Sequence, residues 1–122
     1  VFVLRSRMRW FFLLCLMSVP AGAQEWNLRG SDRVLPRTEV VALIEGQTLV
    51  FFDDGQSKFS TGGAYSYTYA NGGGTAYGRY EVGADGTVCI AFRNGFGRCD
   101  RYVESAERIV MLTQKGERFP VR

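Results

Sequence analysis

Beyond Gly46 the chain is cut into short segments by turn signals at the roughly 8–12-residue spacing of successive β-hairpins, and this rhythm restricts the fold more than any other feature. The signals are Asp53-Asp54-Gly55, Asn71-Gly72-Gly73-Gly74, Gly83-Ala84-Asp85-Gly86, Asn94-Gly95-Phe96-Gly97 and Lys115-Gly116. Glycine supplies positive φ at such points, and Asn and Asp bond to their own backbone. No segment between them is available for a helical crossover, so each strand must pair antiparallel with the next.

Strands are expected over Thr48–Phe52, Ala64–Ala70, Thr75–Val82, Thr87–Phe92, Arg98–Val103, Arg108–Thr113 and Arg118–Val121. Side chains alternate between faces along a strand. Tyr65, Tyr67 and Tyr69 therefore share one face, with Ser66 and Thr68 on the other, and Val88, Ile90 and Phe92 share a face two strands on. Ser57–Gly63 is short and Gly-rich, which leaves the count at six or seven strands. Arg37–Glu45 reads as one short helix, with Thr38 as its cap, Glu39 in the first turn, Val40, Leu43 and Ile44 on one side, and Gly46 as the stop. The expected fold is mainly β: a small antiparallel meander closing into a barrel or a sandwich, with the helix over an open end or edge and one disulfide.

Upstream, residues 24–36 are polar, mixed in charge and without periodicity, and read as an arm whose Trp26 and Leu28 dock on the domain. Residues 1–23 have the order of a cleavable export signal. Met8-Arg9 precedes the apolar run Trp10–Val19, Pro20 breaks it, and Ala21-Gly22-Ala23 forms an A-x-A site ahead of Gln24-Glu25. The start is Met8, or Val1 read from an alternative codon. The run is shorter than the roughly 20 residues of a membrane span, and nothing downstream repeats it. Cys15 is not a lipoprotein anchor, because Leu14 stands where a small residue is needed. The expected product is one domain, residues 37–122, with its arm, periplasmic or secreted.

Removing Arg5, Arg7 and Arg9 with the signal turns the chain's net charge of +3 into 12 basic against 12 acidic residues. A neutral protein has no basic field for nucleic acid or an anionic membrane. Two cysteines remain, Cys89 and Cys99, and in an exported chain they are best paired. A reactive thiol pair is the alternative, without the Cys-x-x-Cys spacing. A loop of Arg93-Asn94-Gly95, or a five-residue version in the same register, places Phe92 opposite Phe96 and Cys89 opposite Cys99, with Gly95 in the left-handed position. The disulfide then lies on the face away from Val88 and Ile90.

The chain has no histidine, which removes the usual neutral-pH base, the usual zinc ligand and any Ser-His triad. There is no P-loop, EF-hand or Rossmann motif, and no cofactor or metal site is expected. Asn71-Gly72-Gly73-Gly74 joins two strands and has no helix or lysine to make a phosphate cradle. Asp53 and Asp54 are turn residues. Glu81, Asp85 and Asp100 would have to converge to act as a carboxylate pair, and no catalytic residue is assigned.

The candidate binding residues are Tyr65, Tyr67 and Tyr69, with Tyr77 nearby, and Arg93 and Phe96 of the hairpin loop. The tyrosine stripe is either a core face or a binding platform, since tyrosine gives contact area at low entropy cost. Arg93, Arg98 and Arg101 gather near the disulfide hairpin, as a solvated face or as a site for an acidic partner or carboxylate ligand, but Asp100 and Glu104 lie close by and favour internal pairing.

The stretch Glu39–Cys99 combines the short helix, Tyr69-Ala70-Asn71-Gly72, Gly78-Arg79-Tyr80-Glu81-Val82, Asp85-Gly86-Thr87-Val88-Cys89 and a second cysteine at Cys99. In this it resembles a group of small exported bacterial proteins of unknown function with a tyrosine-led turn, a G-x-[WY]-x-V strand and a D-G-x-[LV]-C strand. Tyr80 stands where tryptophan is commoner in that group, and Ser57–Gly63 where a longer strand is expected. The resemblance implies a β-meander and brings no catalytic residue. The functional expectation is a non-catalytic binding or interaction module with a protein or small-ligand partner. An inhibitor of a cell-wall-degrading enzyme is one version. The alternative is a carrier with an aromatic-lined site.

Overall fold

A computed structural model describes residues 26–122; the export signal expected over residues 1–23, with Gln24 and Glu25, lies outside the described residues. The elements run β1 (Arg33–Val34), α1 (Arg37–Ile44), β2 (Thr48–Val50), β3 (Gln56–Phe59), β4 (Ala64–Thr68), β5 (Thr75–Val82), β6 (Val88–Phe92), β7 (Gly97–Ser105), β8 (Arg108–Thr113) and β9 (Arg118–Pro120). From β2 to β9 each strand pairs antiparallel with its successor, as the turn rhythm requires. The sheet curls into a half-barrel. Its end strands come together at the bridge Phe51–Val121, where Phe52 N donates to Pro120 O (3.2 Å) and Arg122 N to Val50 O (2.7 Å). Among the described residues no helix is long and apolar enough to cross a membrane.

Among the described residues there are nine strands where the sequence predicts six or seven. One addition is β3, in the segment that looks short and Gly-rich. Its Ser57 and Phe59 are buried while Gln56 and Lys58 are exposed. A buried serine in the apolar phase hides the alternation. The other is β1, two residues of the arm that pair with β7 beyond the end of β6 (Arg33 with Glu104, Val34 with Val103).

Pro36, not Thr38, caps α1. The Pro36 carbonyl accepts from Glu39 N and Val40 N, both at 3.0 Å, and no side chain caps the helix. Proline pre-sets φ at the helix entrance, so Thr38 falls inside the first turn. Arg33 instead braces the start of α1 by bonding both Glu39 oxygens.

Val40 and Ile44 of α1 are fully buried and join one core with Leu35, Phe51, Phe59, Tyr65, Val88, Ile90, Tyr102 and Met111. The helix thus closes one end of the barrel. A second cluster lies on the outer face, where Val103, Val110 and Leu112 are covered by Trp26 and Val34. Trp26 docks as expected, but Leu28 stays exposed. The arm is tied down further by Arg118, whose two Nη atoms each bond an Asp32 oxygen at 2.9 Å.

Hairpin β6–β7 has the predicted register. Cys89 faces Cys99 and the two are bonded, Phe92 N donates to Phe96 O at 2.8 Å, and Gly95 has φ 95°. Opposite Cys89–Cys99 the inner face carries Val88 and Ile90.

Candidate functional site

The same register decides what enters the barrel. Ile90 pairs with Arg98 and Val88 with Asp100, so Arg98 and Asp100 point inward among apolar side chains. The Asp100 side chain is 0% exposed and that of Arg98 30%. Arg98 Nε lies 3.0 Å from both carboxylate oxygens, and Nη2 lies 3.0 Å from Oδ2. Nη2 also reaches Tyr65 Oη at 3.4 Å, and Tyr65 Oη shares a 2.9 Å hydrogen bond with Ser57 Oγ. Tyr102 Oη is buried next to this group and has no hydrogen-bond partner among the described residues.

Burial pushes the Asp100 carboxyl above its ordinary value, against the pull of Arg98. For Arg98 burial works against the charge, but Asp100 and Tyr65 beside it hold the guanidinium above its usual range. Burial also raises the Tyr65 phenol, opposed by its bond to Ser57 and by Arg98. The result is a compensated ion pair inside the barrel, with one edge of the arginine open.

That edge lines a cavity of about 280 Å³. Successive hairpins alternate between the two ends of the barrel. α1 sits with the turns at 60–63 and 83–87, and Gly86 packs directly against the backbone of Leu35 and Arg37. The turns at 52–55, 69–74, 93–96 and 114–117 surround the opposite end, and the cavity opens there. Tyr67 and Tyr69 form a near-perpendicular pair with centroids 4.9 Å apart, and Phe51 lies 6.5 Å from Tyr67. Phe119 and Met111 complete the apolar lining, and Asp53 and Glu117 bring carboxylates to it. The Arg98 guanidinium sits 5.9 Å from the Tyr67 centroid and 5.8 Å from that of Phe92. A Cβ on Gly55 would collide with the Tyr67 hydroxyl, so glycine there sets how far the ring can reach. Burial, then the nearby Asp53 charge, pushes the Tyr67 phenol up.

The predicted site residues separate. Tyr67 and Tyr69 line the mouth. Tyr65 is 3% exposed and belongs to the core, where it holds Arg98. Tyr77 does not join the stripe: it pairs with Ser66, and directly opposed residues share a face, so it lies outside. Arg93 stacks on it there, 5.1 Å from the ring centroid. Phe96, 73% exposed, stands at the hairpin tip on the mouth end.

The three arginines do not gather either. Arg98 is inside, Arg93 is on Tyr77, and Arg101 sits 5.9 Å over Trp26 and pairs with Asp85 at 3.6 Å. Glu104 pairs with Arg33 rather than with this group. Glu81, exposed on β5, and Asp85, in a turn, do not meet Asp100. Asp53 accepts from Gly55 N at 2.8 Å, the turn role expected of it, and Asp54 pairs with Arg122.

The internal pairing expected for Asp100 is met by Arg98; what sequence reasoning passes over is that the pair lies inside the barrel. The signal was present: once Cys89 faces Cys99, two charged residues fall in phase with Val88 and Ile90. Wider grooves on the outer surface, such as one of about 830 Å³ at the disulfide hairpin, carry a single ring, Tyr80, among glycines, the disulfide and the charged Arg79, Glu81 and Arg98. Comparison with protein-family models, with curated proteins and with solved structures finds no match.

Proposed function

We propose that the protein is an exported, non-catalytic binding module that works through the open mouth of its barrel and takes a small guest of about one ring. The observation that carries this reading is the buried Arg98–Asp100 pair beside an aromatic cavity. A buried ion pair is a poor source of stability, since hydrophobic residues of similar volume commonly do as well or better. A concave, mostly apolar cavity with a few fixed polar groups is the usual form of a small-molecule site. The barrel interior is otherwise filled by side chains, which limits the guest to the mouth. This favours the carrier reading over the inhibitor of a cell-wall-degrading enzyme. The exposed Phe96 beside the mouth supports that second reading, in which the rim docks on a protein.

A screen of single-ring compounds followed by amide chemical shifts tests the proposal. Binders should shift the β4 and β7 resonances around Tyr67 and Arg98. Tyr69→Ala, at an exposed position, should weaken binding at least about fivefold with little change in melting temperature. Shifts confined to the outer face, or binding indifferent to Tyr69, would refute it. Inhibition of a lysozyme by the processed protein, lost in Phe96→Ala, would favour the inhibitor instead.

A further inference from the structure

We infer that the guest presents a cation, an ammonium or guanidinium group on a short apolar stem; this rests on the mouth being the binding site. The inference follows from the charge left uncompensated there. Arg98 is the one cation lining the cavity, and Asp100 cancels it through contacts at 3.0 Å. Asp53 and Glu117 also line the cavity, and no cation is paired with either among the described residues. Each has one oxygen committed locally: Asp53 Oδ1 accepts from Gly55 N at 2.8 Å, and Glu117 Oε1 from Thr113 Oγ1 at 3.1 Å. These bonds fix the carboxylates at the cavity and leave their charge unspent. The rings beside them contribute in the same sense, because an aromatic face carries negative potential and attracts cations. Arg98 already uses the Tyr67 ring in this way, at 5.9 Å. An anionic guest would meet two carboxylates and a guanidinium whose charge is already matched. The same cation can arrive as a free amine or as a lysine or arginine side chain of a partner protein.

Benzylammonium, benzyl alcohol and benzoate form a probe set of similar size that differs in charge. Their affinities for the disulfide-bonded protein at low salt, read by amide shifts around Tyr67 and Tyr69, should fall in that order. Benzylammonium should bind about tenfold more tightly than benzoate. Asp53→Asn with Glu117→Gln retains the acceptor oxygens, so the fold should melt unchanged and the preference should collapse to within about twofold. Tighter binding of a blocked lysine peptide than of benzylammonium would support the cation and assign it to a partner protein, and the reverse order would assign it to a free amine. Benzoate binding as well as or better than benzylammonium would overturn the cation while leaving the mouth as the site. No shift with any probe at millimolar concentration would remove both.

Discussion

Replacing Arg98 by methionine should destabilise the protein strongly at neutral pH and hardly at all in acid. Methionine fills the space of the arginine stem but leaves Asp100, whose side chain is fully enclosed, without its counter-charge. The folded variant must then hold a bare carboxylate or protonate it. Protonation costs about 1.4 kcal/mol for each pH unit above the ordinary value of 3.8, so at pH 7 it caps the penalty at about 4 kcal/mol. That matches the roughly 3–5 kcal/mol lost when one partner of a buried pair is removed, and it is a large share of the stability of a domain this size. The sign follows from the direction of the shift. Asp100 has a raised value in the folded state, so its folded form keeps a proton that the unfolded chain releases. Stability is therefore greatest below the unfolded value and falls as pH rises toward the folded one. In Arg98→Met the fall steepens, because burial acts on Asp100 unopposed. Near pH 4 the penalty shrinks to the lost packing of the stem, about 1 kcal/mol or less. Urea unfolding of the disulfide-bonded protein at several pH values between about 4 and 7 measures this directly. Adding Asp100→Asn to Arg98→Met should flatten the profile and restore part of the stability at pH 7. A destabilisation constant across the range to within about 0.5 kcal/mol would show that Asp100 does not depend on Arg98, and the reasoning would fail.

Four further outcomes follow from the same structure. Cys89→Ser with Cys99→Ser should lower stability by about 2–3 kcal/mol, the loop-closure value for a sequence separation of 10, and reductant should do the same to the native protein; an unchanged urea midpoint would contradict it. Asp32 is held at about 2, chiefly by its hydrogen bonds to Arg118, so the pair stabilises above pH 3.8 and the contribution is lost as pH falls through about 2. Asp32→Asn should therefore cost about 1 kcal/mol near pH 6, a value discounted for solvent screening, and only a small part of that at pH 2 and below, as read from melting curves. Trp26→Ala should cost about 3 kcal/mol by uncovering Val103, Val110 and Leu112. In protein made as residues 24–122 Trp26 is the only tryptophan, so a red-shifted emission in Arg118→Ala would report release of the arm.

The β-meander was legible because its instructions are local. Asp53, Asn71, Asp85 and Asn94 each mark a reversal, and the structure turns at every one of them. The β6–β7 register was legible because two bonded cysteines must face each other. What was hidden depends on partners distant in sequence. Arg33–Val34 has no strand pattern of its own and is extended because β7 continues past β6 and offers an open edge. Gln56–Phe59 hides its phase behind Ser57, a buried polar residue explained by the Tyr65 hydroxyl it meets at 2.9 Å. Thr38 fits a cap by residue type, yet Pro36 sets the helix start two residues earlier.

The site was half legible for a related reason. Tyr67 and Tyr69 were found by alternation on their own strand, while Tyr77 was misplaced because its face is decided by its partner Ser66. Arg98 and Asp100 were matched as internal partners, but their place inside the barrel was missed because charged residues are assigned to solvent by default. Strand phase carries more information than residue class here. Val88, Ile90 and Phe92 fix the inner face of β6, the disulfide fixes which β7 residues oppose them, and Arg98 and Asp100 follow as interior groups. A charge that lies in phase with a hydrophobic face must be matched, and Asp100 and Arg98 match each other. The matching also has a direction. α1 seals one end of the barrel with Val40 and Ile44, and Asp100 is enclosed, so the remaining exposed edge of the pair belongs to Arg98 and faces the mouth. The polar group that the core had to accommodate and the rings that the stripe predicted therefore meet at the same opening.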